Sequence, residues 1–231
     1  MTTRKHPGNW IISALGALAL ASLAHAGNVA GAVKYAGAAP APKKVEITKD
    51  HEVCGKMPKV AEDLLVGANK GVRNVVVSVQ GVAGAKAPTA KATLDQNGCH
   101  FSPHVTVVGV GAPLEILNSD GILHNIHTFS SANPAFNEAQ PKFKKVMNKT
   151  FAKPETFKIA CDAHNWMSGW MVVTDTPYYA LSDEQGNFTI KDVPAGTYTV
   201  QYWHEKLGKQ TKQVTVAATG EVRADLEYPA Q

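Results

Sequence analysis

Residues 156–173 read Thr156-Phe157-Lys158-Ile159-Ala160-Cys161-Asp162-Ala163-His164-Asn165-Trp166-Met167-Ser168-Gly169-Trp170-Met171-Val172-Val173. Both flanks are rich in β-branched and aromatic residues, which predicts two strands. The loop between them places a thiolate, an imidazole and a thioether at Cys161, His164 and Met167. Upstream, Leu114-Glu115-Ile116-Leu117-Asn118 predicts another strand, followed by Ser119-Asp120-Gly121-Ile122-Leu123-His124-Asn125. One Cys, two His and a weakly binding Met form the donor set of a mononuclear type 1 copper site. Strand ends at one pole of a sandwich could deliver all four on a rigid frame. Such a frame changes little between Cu(I) and Cu(II), which favours fast electron exchange.

The rest of the chain also reads as strands. Val72 to Val79, Val105 to Val108, Thr156 to Ala160 and Trp170 to Val173 are separated by Gly, Pro, Asn and Asp clusters. That spacing predicts an all-β sandwich or barrel. No strong helical period follows Gly27. Ser131 to Lys149 is polar with two prolines and reads as a long loop over one end. From Pro177 a separate meander begins: Leu181, Asp183, Gly186-Asn187-Phe188-Thr189-Ile190, Val193-Pro194-Ala195-Gly196, then the alternating Thr197-Tyr198-Thr199-Val200-Gln201-Tyr202-Trp203.

The first residues read as a leader. Arg4, Lys5 and His6 form a basic start, Trp10 to Leu23 an apolar stretch, and Ala24-His25-Ala26 a small-x-small cleavage site. This is the anatomy of a secretory signal peptide; an uncleaved anchor is the alternative. No second apolar run reaches the ~20 residues of a membrane span. Of 23 Lys and Arg against 19 Asp and Glu, the leader removes Arg4 and Lys5, which lowers the formal charge from +4 to +2. That balance gives no reason to expect nucleic acid as a partner.

Three cysteines in an oxidising compartment leave one unpaired. Cys161 has the metal-ligand neighbours, so Cys54 and Cys99 are the expected disulfide, although three single bridges are arithmetically open. A bridge to Cys161 would destroy the proposed site.

The stretch from Leu114 to Asn125, together with Cys161-x2-His164-x2-Met167, resembles the cupredoxins, the plastocyanin and amicyanin-like blue copper proteins, over roughly residues 70–175. The resemblance implies a Greek-key β-sandwich with His124, Cys161, His164 and Met167 as ligands of one copper ion and Met167 axial. It also implies that Asn125 ties the two ligand-bearing loops by hydrogen bonds. The tail resembles the carboxypeptidase regulatory-like, transthyretin-like β-sandwich. Val29-Ala30-Gly31-Ala32-Val33-Lys34-Tyr35 looks like the opening strand of that family. The expected organisation is therefore a leader at 1–26, a copper domain at 51–176, and a tail domain at 177–231 completed by strands from 27–50. Assignment of 27–50 to the copper domain is the simpler alternative.

Other residues have plainer roles open to them. His127 is expected on the opposite strand face from His124. His100 and His104, beside Cys99, are candidates for a second metal site, with packing favoured. Asp162 is expected to face solvent and Met171 to lie in the core. Trp166 is a candidate for docking a redox partner beside the edge of His164, and Trp203 for packing between domains. The departures from small cupredoxins are His127, the two additional cysteines and the tail.

The expected function is electron transfer by a periplasmic or secreted copper protein whose partner is a cytochrome or dehydrogenase. No enzymatic activity is expected: there is no G-x-S-x-G elbow, phosphate-binding glycine loop or H-E-x-x-H. Storage, delivery or sensing of Cu(I) is the alternative, for which His127, Met147 and Met171 are the only surplus donors. An adhesion or scaffold protein is the third reading.

Overall fold

The computed structural model describes residues 1–2 and 26–230. The leader read over 1–26 therefore falls, over 3–25, outside the described residues. Among the described residues no helix is long and apolar enough to cross a membrane. The fold is all-β: the described residues form seventeen strands in four sheets, with one short helix, His51–Cys54.

Two of the sheets enclose the first core. In one, Ala26–Tyr35 is central, antiparallel to Asn187–Pro194 and parallel to Glu221–Arg223 and Leu226–Tyr228. The other runs Tyr179–Leu181, Val76–Gln80, Gly196–His204, Gly208–Val216. Alternation decides the inward face, as period-2 side chains must: Phe188 and Ile190 are buried while Asn187, Thr189 and Lys191 are exposed. These two residues meet Val29, Val33, Val77, Val79, Val200, Tyr202 and Tyr228.

The other two sheets form a second sandwich. One runs Val105–Gly109, Ser168–Thr174, Glu155–Ala160, His124–Thr128, Asn137–Gln140; the other Phe101–Ser102, Ala92–Gln96, Leu114–Asn118, Val146–Lys149. Leu94, Phe101, Leu114, Ile116, Ile126, Phe157, Ile159 and Met171 fill the space between them. Met171 lies in the core, as its place on the outgoing strand predicts.

Two elements differ from the sequence reading. Val76–Gln80 falls inside the span 51–176 assigned to the copper domain, yet it hydrogen-bonds to Tyr179–Leu181 and Gly196–His204 in the tail sandwich. The cause is visible in its burial. Four successive residues, Val76 to Val79, are covered. Val77 and Val79 face the tail core, whereas Val76 packs on Val105 and Val172 of the other sandwich. A strand covered on both faces does not say by its burial which core it serves. Ser131 to Lys149 is not one loop but holds Asn137–Gln140 and Val146–Lys149. Each is a four-residue edge strand at the end of its sheet with a single buried residue, so its polar composition mimics a loop.

Trp170 and Trp203 meet edge to face where the sandwiches abut, with ring centroids 5.0 Å apart. Trp170 Nε1–H donates to Glu205 at 2.8 Å. His104 is buried beside the same carboxylate, with Glu62 3.7 Å from its other nitrogen.

Residues 43–61 double back on themselves through Val45 N–H to Lys59 O and Ala61 N–H to Lys43 O, each 2.9 Å. Cys54, inside this strap, is joined to Cys99. Ile47 and Val53 pack against the second core, so the strap lies across the end of that sandwich.

Candidate metal centre

His124 opens its strand and is fully buried, and Cys161 directly follows Glu155–Ala160. Ala160 pairs with Ser168, so residues 161–167 form the hairpin loop between two antiparallel strands. Two backbone bonds shape it: Cys161 N–H to Met167 O at 3.1 Å and Met167 N–H to His164 O at 2.9 Å. His164 is thereby turned inward toward Cys161.

Three donor atoms converge here. His124 Nδ1 and His164 Nδ1 are 3.0 Å apart, and Cys161 Sγ lies 3.9 Å from the first and 3.7 Å from the second. A point in their plane is about 2 Å from all three, close to the length of metal–imidazole and metal–thiolate bonds. Thiolate with imidazole suits copper or zinc. All three side chains, and that of Met167 in the same loop, are buried. The donor set and its spacing therefore fit a small metal ion. Cys161 is the free cysteine, as the arithmetic of three requires.

Asn125 stitches the two loops together. Its backbone N–H points at Cys161 Sγ from 3.5 Å. Its side-chain carbonyl accepts from Asp162 N–H at 2.6 Å and Ala163 N–H at 3.1 Å, and its amide donates to Asn137 at 2.6 Å.

Two carboxylates complete the surroundings, and sequence reading singles out neither. His124 Nε2–H donates to Asp120 at 2.9 Å and His164 Nε2–H to Asp50 at 2.8 Å. Asp120 lies four residues before His124, but in a loop, where that spacing predicts nothing. Asp50 is 114 residues from His164, beyond the reach of any local pattern.

These contacts set the charge states of the side chains. Burial opposes charge on His124, but Asp120 and Cys161 outweigh it and raise its pKa to about 9. Burial disfavours the Asp120 carboxylate, yet His124 and the N–H groups of Cys99 and Gly98 hold its pKa below the ordinary value. Burial lowers the pKa of His164 against the pull of Asp50.

The remaining candidates lie elsewhere. His127 is 3.1 Å from Asp162 and stacks on Phe129, apart from the donor cluster. Asp162 is exposed, and Met147 is buried in the core of this sandwich. His100 is exposed, and His104 belongs to the contact between sandwiches. Among the described residues the other close donor group is Cys99, Asp120 and His124, but the Cys99 sulfur is already bonded to Cys54. Trp166 is half-buried, packs on His164 with centroids 5.1 Å apart and donates to Cys99 O at 3.2 Å. The edge of His164 beside it is not exposed, contrary to expectation, because the strap sets Asp50 over Nε2.

Fold and site together describe a β-sandwich with a buried thiolate–imidazole centre at one pole, joined to a second β-sandwich. Residues 170–228 match the family model of the carboxypeptidase regulatory-like domain. Among solved structures the chain is similar to a mutant of amicyanin in its Cu(I) form, at 18% identity over 42% of this chain and 98% of that one, with a TM-score of 0.33. It is similar to a purple cupredoxin from Nitrosopumilus maritimus at 20% identity, over 37% of this chain and 99% of that one, TM-score 0.31. A copper-containing nitrite reductase from Thermus scotoductus SA-01 is 25% identical over 41% of this chain but 25% of its own, TM-score 0.33. No curated protein sequence matches the chain.

Proposed function

We propose that this chain is a mononuclear copper protein that carries electrons in the periplasm or outside the cell, with a redox protein as partner and no catalytic turnover of its own. The supporting observation is the convergence of Cys161 Sγ, His124 Nδ1 and His164 Nδ1 at the end of a sandwich. In this reading Cys161, His124 and His164 hold the metal and Met167 is a weaker fourth donor. Copper, when bound, supplies a one-electron couple.

The chain's residues do the rest. The buried walls exclude water, and Asn125 keeps the Cys161 loop in register with His124. Hydrogen-bonded strands on both sides resist rearrangement, which suits a centre that exchanges electrons rather than atoms. Burial of all four donor side chains supports a carrier over an enzyme. The leader read at 1–26 supports export. We assign the metal to the sandwich built from residues 92–174, and the second unit to 177–231 with 26–35 and 76–80.

The test is a visible absorption spectrum of the copper-loaded protein, repeated with Cys161→Ser. The wild type should show an intense band from the copper–thiolate bond, and the variant should lose it. A colourless Cu(II)-loaded wild type, or an unchanged band in the variant, overturns the assignment. Ready exchange of Cu(I) without such a band would instead mark a copper-handling protein.

A further inference from the structure

Both imidazoles have a carboxylate on the nitrogen that points away from the sulfur. We propose that Asp120 and Asp50 are positioning residues that lower the reduction potential of this centre, and that the Cys54–Cys99 bond is the frame holding both in place. The proposal rests on the copper reading above and says which residues of this chain set the potential.

Each carboxylate is tied to one half of the disulfide. Asp120 accepts from Gly98 N–H at 2.5 Å and from Cys99 N–H at 2.8 Å, so the half-cystine at 99 holds the carboxylate that faces His124. The carbonyl of Asp50 accepts from Val53 N–H at 2.9 Å and Cys54 N–H at 2.8 Å, so the half-cystine at 54 anchors the residue that faces His164. Asp50 takes a left-handed backbone conformation, φ 48°. That conformation is uncommon for a residue other than glycine and is tolerated best by Asn and Asp. Both cysteines are fully buried. One covalent bond thus connects the two charges, although residues 50 and 120 are far apart in sequence.

The electrostatic consequence has a sign. An imidazole that donates its outer N–H to a carboxylate is a better electron donor through its other nitrogen. Two negative charges near the metal also favour the ion of higher charge, so Cu(II) gains over Cu(I) and the potential falls. The couple exchanges one electron with an external redox partner, and no bond is made or broken. The two carboxylates are not equivalent: the Asp120 side chain is 5% exposed and that of Asp50 47%. Solvent screens the second far more than the first.

The experiment measures the midpoint potential of the copper-loaded full-length protein for the wild type, Asp120→Asn, Asp50→Asn and the double variant. Asparagine keeps the shape and can accept the imidazole proton, so a purely space-filling role would leave the potential unmoved. Asp120→Asn should shift the Cu(II)/Cu(I) affinity ratio roughly tenfold toward Cu(I), an upward change of about 59 mV for one electron. Asp50→Asn should shift it the same way by a smaller factor, and its effect should shrink as salt rises while that of Asp120→Asn should not. Cys54→Ser with Cys99→Ser should also raise the potential. If Asp120→Asn does not fold, Asp50→Asn decides, because its side chain is on the exposed strap. Potentials unchanged in both Asp variants, with the copper–thiolate band intact, overturn this proposal and leave the copper reading standing. Absence of that band from the wild type overturns the copper reading itself.

Discussion

The side-chain carbonyl of Asn125 accepts the backbone N–H groups of both Asp162 and Ala163, the two residues that follow Cys161. A residue next to His124 therefore fixes the loop that carries the other donors. Asn125→Ala removes both bonds and leaves two backbone donors near the site without a partner. The expected loss is about 2 kcal/mol of stability, with a weaker copper–thiolate band and faster loss of metal to a chelator. Unfolding curves with and without copper, with a chelator time course, check this. A variant that retains metal as the wild type does would show that the strands alone hold the loop.

Glu155 plays the same organising part at residues 130–133. Its carboxylate accepts from Ser130 Oγ, the N–H groups of Ser131, Ala132 and Asn133, and the Asn133 amide. Burial works against the charge, but these donors hold its pKa well below the usual carboxylate range. A depressed carboxylate pKa adds stability above the unfolded value of 4.5 and loses it progressively as pH falls below that value. Glu155→Gln should cost roughly 2 kcal/mol at neutral pH. The gap from wild type should narrow as the pH is lowered through 4, as followed by thermal unfolding across the pH series.

The metal loop is legible in sequence because its chemistry is local. Cys161, His164 and Met167 lie within one hairpin, and His124 follows a strand whose alternation is plain. The carboxylates are not legible, because Asp50 reaches His164 only through a strap fastened by a disulfide. Val76–Gln80 goes to the wrong sandwich on sequence because Val76 to Val79 are covered on both faces, and sequence does not say which core such a strand serves. Asn137–Gln140 and Val146–Lys149 look like loop because edge strands show water most of their side chains.

His204 gives the tail sandwich an acid limit. It is 1% exposed, and its Nδ1 accepts the N–H groups of Lys206 and Leu207. Burial lowers its pKa from 6.5 to about 4. A histidine held neutral in the fold is protonated first in the unfolded chain. Stability is therefore full above pH 6.5 and falls as pH drops from 6.5 toward 4, by on the order of 3 kcal/mol. His204→Asn retains an acceptor for the two N–H groups and does not titrate in this range. Its unfolding midpoint should vary less between pH 4 and 6.5 than that of the wild type, and an unchanged slope would place the sensitive group elsewhere.

Val33 tests whether the two sandwiches are energetically separate. It is fully buried in the core of the tail sandwich, and its strand binds three neighbours. Val33→Ala removes two methyl groups from a packed interior, which costs about 2 kcal/mol. The cores on the two sides of the molecule share no residue. Below the unfolding transition the copper–thiolate band should therefore be unchanged in position and intensity, while the tail melts at a lower temperature. The route by which this could fail is specific. Val76, Val105 and Val172 pack together between the sandwiches, and Trp170, on the strand leaving the metal loop, meets Trp203 of the tail. A shift of the visible band in Val33→Ala would mean that this contact transmits strain from the tail to Cys161. Val76→Ala should then shift it further.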